Sequence, residues 1–152
     1  SGKPGLLARA AWPKDRPMTV RVSASDWAPG GTSEHDLLTF CKALAAAGCD
    51  LIDVSSGSMV IEQKPRYGRL YQVPFAELVR SEVNIPVAAV GNISSYTDVN
   101  TVLAARRADL CFIARAHLFD PYWTRHAAHA QGYDLPWPKP YGVLRGYNAR
   151  LA

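Results

Sequence analysis

At 152 residues, 48% of them hydrophobic, the chain can bury one core but falls well short of a complete eight-stranded βα barrel, which takes about 250 residues. No apolar run approaches the roughly 20 residues of a membrane span, and the first residues lack the apolar stretch of a signal peptide, so a soluble, cytoplasmic protein is expected. The formal charge of +4 is spread along the chain, without the clustered basic face expected of a nucleic-acid binder, and better suits an anionic small molecule.

Residues 6–12 read as the last turns of a helix stopped by Pro13, and Lys14-Asp15-Arg16-Pro17 as a polar turn. Residues 19–23 then alternate, with Val20 and Val22 on one face and Thr19, Arg21 and Ser23 on the other. In a barrel the valines would lie outward under helices, leaving Arg21 to point inward. A strand-centre arginine is costly unless an anion or a ligand acceptor meets it. From periodicity alone, an ion pair with Asp53 or Glu77 outweighs a ligand contact.

After a Pro-Gly-Gly loop, Thr32 or Ser33 caps a helix with apolar residues at Leu37, Leu38, Cys41, Leu44 and Ala45, closed by Gly48. Residues 51–54 form the second strand. The connection over residues 55–72 is long for a βα loop and carries Met59, Glu62, Lys64, Arg66, Tyr67, Arg69 and Tyr71, which makes it a candidate lid or substrate wall. The second helix spans 73–83 with Pro74 in its first turn, and the third strand 87–90. Ser94 or Ser95 caps a helix over 96–106, the fourth strand spans 110–113, and a final helix is expected over 118–130. The proline-rich stretch 133–152 is expected as an extended tail on the same single domain, docked by its aromatic residues.

Side-chain clusters offer little beyond this pattern. Cys41, Cys49 and Cys111 lack metal-ligand spacing and read as buried free thiols. His117, His126 and His129 lie near one helix with no carboxylate at ligand spacing, so surface or cap roles outweigh a metal site and no metal is expected. Ser55-Ser56-Gly57 lacks the flanking pattern of a nucleophile elbow, which argues against a hydrolase.

Repeated β-then-α junctions predict a parallel sheet whose functional groups gather at the strands' carboxyl ends. At the third junction, Val90-Gly91-Asn92-Ile93-Ser94, a glycine directly after a buried strand lets a ligand approach, and the amides that follow can donate to an anion. An ordinary tight turn explains that motif equally well on its own. Ala114-Arg115, closing the fourth strand, tips the balance, because the loops after a βα barrel's last two strands form its common phosphate site and an arginine adds a charge-assisted grip.

Taken in order, these residues resemble the C-terminal half of the old yellow enzyme family, the NADH:flavin oxidoreductases. Val20-Arg21-Val22-Ser23-Ala24-Ser25-Asp26 is similar to its fifth strand, Asp50-Leu51-Ile52-Asp53-Val54-Ser55-Ser56-Gly57 to its sixth, Val90-Gly91-Asn92-Ile93 to its seventh, and Ala108-Asp109-Leu110-Cys111-Phe112-Ile113-Ala114-Arg115 to its eighth. Gly68-Arg69-Leu70-Tyr71-Gln72-Val73-Pro74-Phe75-Ala76 and Asp120-Pro121-Tyr122-Trp123 resemble the reductase-like module of salicyloyl-CoA and 2-aminobenzoyl-CoA hydroxylases. The match runs over residues 6–141.

The resemblance implies an α/β fold, the C-terminal half of a TIM (β/α)8 barrel with four βα units. It implies FMN as cofactor and NAD(P)H as reductant, with a small-molecule substrate, an activated alkene or dienone such as an aromatic CoA thioester. Arg21 would meet the pyrimidine edge of the flavin, where it stabilises negative charge in the reduced state. The backbone at Gly91, Asn92, Ala114 and Arg115 would hold the FMN phosphate. Ala114 stands where the family usually has glycine, and Arg145 is the best match to an arginine that in some members reaches into a neighbouring subunit. The family's first four strands, with the catalytic and carbonyl-binding residues, have no counterpart here. The chain alone is therefore expected to be inactive, and to form a homo-oligomer or a complex with an N-terminal half-barrel. The competing readings are a non-catalytic half-barrel that binds a phosphate ligand or serves assembly, and a phosphate-binding half-barrel like those of the histidine-biosynthesis isomerases.

Overall fold

The computed structural model describes residues 3–145, and two compact units divide the chain after Arg115. In the first unit the order is α1 (Lys3–Ala11), β1 (Thr19–Ser23), α2 (Glu34–Ala46), β2 (Leu51–Ser55), α3 (Val73–Val83), β3 (Val87–Val90), α4 (Tyr96–Ala104) and β4 (Leu110–Phe112). The four strands form one parallel sheet in the order β1-β2-β3-β4. The expected α/β alternation is therefore observed, and all four carboxyl ends lie along one edge of the sheet.

The helices form where polar caps meet an apolar stripe. Ser33 caps α2 and Ser95 caps α4, each in a reciprocal box with the acidic residue three positions on, Asp36 and Asp98. Leu37, Cys41 and Leu44 on α2, with Val73, Ala76 and Val79 on α3, present buried faces at helical spacing. They cover Val22, Ile52, Val54, Val87 and Ala89, which the period of two places on one face of the sheet. A fully buried aliphatic side chain contributes about 1.5–3 kcal/mol, so this layer stabilises the unit. Cys41 and Cys49 are buried free thiols, and burial, with Cys49 nearby, pushes the Cys41 thiol up to about 11.

Among the described residues of the first unit, no helix is packed on the opposite face of the sheet. It carries Thr19, Arg21 and Ser23 from β1, Leu51, Asp53 and Ser55 from β2, Ala88 and Val90 from β3, and Leu110 and Phe112 from β4. Leu110 and Phe112 are 49% and 40% exposed, so apolar surface is left in water there.

The second unit corrects two expectations. The single helix anticipated over 118–130 is two, α5 (Arg115–Phe119) and α6 (Trp123–Ala130). Pro121 lacks an amide hydrogen and disfavours helical backbone at Asp120, and the Asp120 carboxylate accepts from the Tyr122 amide at 2.9 Å, which starts the chain afresh. The stretch expected as wholly extended contains a 3-10 helix at Lys139–Leu144. Arg145 pairs with Asp134 at 3.0 Å, and the rest of the expected tail, residues 146–152, lies outside the described residues. His126 pairs with Asp120 at 2.6 Å, and His117 lies against Trp123. No helix among the described residues is long and apolar enough to cross a membrane.

Candidate functional site

Arg21 and Asp53 face each other across paired positions of β1 and β2, and Arg21 Nε donates to Asp53 Oδ2 at 2.5 Å. Of the two partners named from periodicity, Asp53 is the one used; Glu77 instead accepts from Arg107 at 2.8 Å. The cost anticipated for Arg21 does not arise as expected, because its side chain is 59% exposed on the uncovered face while that of Asp53 is 8% exposed. Only Nε is engaged. The two terminal nitrogens of the guanidinium have no acceptor among the described residues and remain available to an electron-rich edge.

The turn after β3 is built from glycine and a left-handed asparagine. Gly91 has φ +105° and Asn92 φ +52°. Asn92 Nδ2 donates to the Gly68 carbonyl at 2.8 Å, and the Leu70 amide donates back to the Asn92 carbonyl at 3.5 Å. The amides of Gly91 and Asn92 themselves are given to no acceptor among the described residues. The amides of Ser94 and Ser95 are committed: Asp98, 2% exposed, accepts from them at 3.0 Å each. The anion donors expected after Gly91 are thereby limited to residues ahead of Ser94.

Asp98 also accepts from Arg69 Nε. Burial pushes its carboxyl up, but the two amides, Arg69 and the Ser95 hydroxyl outweigh that and hold it well below the usual carboxylate range. On the adjacent strand end, Ala114 and Arg115 are exposed and α5 begins at Arg115, so their amides are uncommitted as well. The Arg115 charge reaches Tyr71: burial and the neighbouring Tyr67 raise the Tyr71 phenol, while Arg115 pulls it down.

The long connection after β2 is pinned along its length. Gly57 donates to the Ser25 carbonyl at 2.8 Å and Lys64 to the Trp27 carbonyl at 2.9 Å. Trp27 packs edge-on to Phe75 at 5.5 Å and tilted to Tyr71 at 6.4 Å, and Tyr67 meets Tyr71 at 5.3 Å. Of the two roles expected for this loop, these anchors favour the wall. Its tip, Met59 to Ile61, is exposed, with Ile61 97% accessible.

Residues 9–133 match the family model described as NADH:flavin oxidoreductase / NADH oxidase. The chain belongs to that family. It is 44% identical over 127 residues to an NADPH dehydrogenase of Halalkalibacterium halodurans, covering 84% of this chain and 37% of the relative. It is 43% identical over 133 residues to an NADPH dehydrogenase of Geobacillus thermodenitrificans, covering 88% and 38% respectively. The chain thus spans well under half the length of these curated relatives. Among solved structures it superposes on a 2-naphthoyl-CoA reductase with TM-score 0.73 and 17% identity over 87% of this chain and 20% of that one. A histamine dehydrogenase from Rhizobium gives TM-score 0.64 and 21% identity over 82% and 18%. At these identities the superpositions speak to the fold.

In this flavin-oxidoreductase chain, residues 21, 91, 92, 114 and 115 all fall on the carboxyl-end edge or the uncovered face of one sheet. Three residues of the same edge were given no site role from sequence: Trp27, Ser56 and Gln72. Gln72 is 4% exposed although it precedes a helix that begins with a proline-bearing turn. No local pattern marks it, since its partners are 16 and 18 residues away.

Proposed function

We propose that this chain is the phosphate-holding half of an FMN-dependent NAD(P)H oxidoreductase, equivalent to the last four βα units of a TIM barrel. The observation that carries the reading is the set of uncommitted amides at Gly91, Asn92, Ala114 and Arg115. They sit on the ends of paired strands, where Val90 lies opposite Phe112, and Arg115 adds a guanidinium at the same strand end. Free amides and a guanidinium at strand ends suit a phosphate monoester dianion. The residues present therefore fit the FMN that the family name implies.

When bound, FMN supplies the two-electron chemistry between a nicotinamide nucleotide and an oxidised substrate. The chain's own part is to hold and orient. Arg21, braced through Nε by Asp53, would offer its terminal nitrogens to the electron-rich edge of the ring and favour negative charge there. The pinned loop over residues 56–72, with Tyr67 and Tyr71, walls the substrate side. The substrate class is an activated alkene or dienone; an aromatic CoA thioester rests on the motifs at residues 68–76 and 120–123. A cytoplasmic location suits a nicotinamide-dependent reductase.

The other half of the ring pocket comes from four further strands, supplied by an N-terminal half-barrel or a second copy. The uncovered sheet face supports this, and it also favours a second reading in which the chain serves assembly alone. Flavin fluorescence titration separates the two. FMN binding clearly tighter than riboflavin binding is expected, weak in the isolated chain because half the ring contacts are missing. Equal affinity for both ligands contradicts the phosphate site.

A further inference from the structure

Gln72 stands at the N-cap position of α3 yet makes no side-chain cap bond. Its side chain is buried and spent elsewhere. Trp27 Nε1 donates to Ser56 Oγ at 2.9 Å, Ser56 Oγ donates to Gln72 Oε1 at 2.6 Å, and Gln72 Nε2 donates to the Val90 carbonyl at 2.8 Å. One continuous chain of hydrogen bonds thus runs from the loop after β1, through the start of the loop after β2, to the last residue of β3. Its final link falls one residue before the turn that presents the Gly91 and Asn92 amides.

The contact is close enough to dictate sequence. A Cβ built on Gly91 would lie 2.0 Å from Gln72 Nε2 and 2.8 Å from its Cδ, and Gly91 has φ +105°. Glycine at 91 is therefore favoured both by its backbone conformation and by the Gln72 side chain in its relay position. Backbone conformations uncommon for non-glycine residues cluster around the same relay: Trp27 at φ 55°, Leu70 at φ 59° and Asn92 at φ 52°. Such backbone persists only where surrounding contacts over-determine it, and the relay supplies contacts to two of the three loops involved.

We propose that Gln72 is the positioning residue of the phosphate-binding turn, fixing the direction of the Gly91 and Asn92 amides and tying them to Trp27 in the wall of the site. This rests on the FMN reading above and goes beyond it. Gln72 touches the carbonyl before the turn and the glycine in it, and is assigned no contact with the cofactor. The burial and hydrogen bonding of Gln72 make the turn's geometry a property of the loops after β1 and β2, so that a disturbance at Trp27 would be felt at the phosphate.

Two readouts on the full chain test this. The first is the ratio of FMN to riboflavin affinity, and the second is amide hydrogen exchange at Gly91 and Asn92 without ligand. Gln72→Leu keeps a side chain of similar size in the buried position but removes both of its hydrogen bonds in the relay. It is expected to lower FMN affinity roughly fivefold to tenfold, the worth of one to two hydrogen bonds, with riboflavin affinity unchanged and exchange faster at these two amides. Ser56→Ala breaks the relay one step further out, should give a smaller loss of the same kind, and serves if Gln72→Leu does not fold. Equal losses for both ligands, with faster exchange spread over α3 and β3, would mean a packing role and overturn the proposal. So would unchanged FMN preference in Ser56→Ala and Gln72→Leu. Failure of the unsubstituted chain to prefer FMN would instead remove the phosphate reading itself, and the proposal with it.

Discussion

Arg21 and Asp53 are joined by one nitrogen and one oxygen at 2.5 Å, and the remaining carboxylate oxygen, Asp53 Oδ1, is buried without a partner among the described residues. The pair is lopsided, with a guanidinium largely in water and a carboxylate largely out of it. Removing the guanidinium leaves a buried charge uncompensated. Arg21→Ala is expected to destabilise the chain by about 1–2 kcal/mol, less than the 3–5 kcal/mol of a fully buried pair because water already screens Arg21. Urea denaturation checks it, and the double variant Arg21→Ala/Asp53→Ala should recover part of the loss. A double variant less stable than the sum of the singles would contradict this picture.

Asp98 makes a second prediction, through pH. Its folded-state carboxyl is held below the unfolded value, so its contribution to stability is present above the unfolded pKa and is lost as pH falls through the folded one. Stability should therefore drop on acidification from about pH 5 downward. Asp98→Asn should be less stable at neutral pH, with the gap to the parent chain narrowing as pH falls. A gap that stays constant from neutral pH into the acid range would show that the carboxylate charge is not what Ser94, Ser95 and Arg69 hold.

Arg115 is assigned to the phosphate and not to the ring. Arg115→Ala should weaken FMN binding by about 1.5–3 kcal/mol, the range of a hydrogen bond to a charged group, and leave riboflavin binding nearly unchanged. Isothermal titration with the two ligands reads the difference. Equal losses would move Arg115 away from the phosphate.

The uncovered face and the outer edges of β1 and β4, unpaired among the described residues, make a prediction about assembly. Unpaired strand edges and wet apolar residues such as Leu110 and Phe112 favour pairing with another chain. Light scattering at micromolar concentration should show a symmetric pair, a larger oligomer or a complex with an N-terminal half, with edge amides protected only in the assembled form. A well-folded monomer with slowly exchanging edge amides would contradict the half-barrel.

Much of the first unit was legible because its signals are local. The β1 alternation, the Pro74-bearing start of α3 and the short apolar run of β3 placed those three elements at Thr19–Ser23, Val73–Val83 and Val87–Val90, as read from sequence. Pro121 carried a helix break that the apolar and aromatic pattern around it concealed. In the site, Arg21 and the two strand-end motifs stood out because charge and glycine are conspicuous in apolar strands. Gln72 did not, because its importance comes from folding residues 56, 72 and 90 together, and Asp98 went unread in the sequence because its hold on the amides of Ser94 and Ser95 exists only in the folded turn.

The account's central claim is that one phosphate is gripped by two adjacent strand ends. Amide chemical-shift mapping of the nitrogen-15-labelled chain, titrated with FMN and separately with riboflavin, tests it directly even when binding is weak. FMN should shift the amides of Gly91, Asn92, Ala114 and Arg115 together along one binding curve, while Ser94 and Ser95, already given to Asp98, move little and riboflavin leaves all four nearly in place. Shifts centred on Ser94 and Ser95, or the same shifts with both ligands, would contradict it.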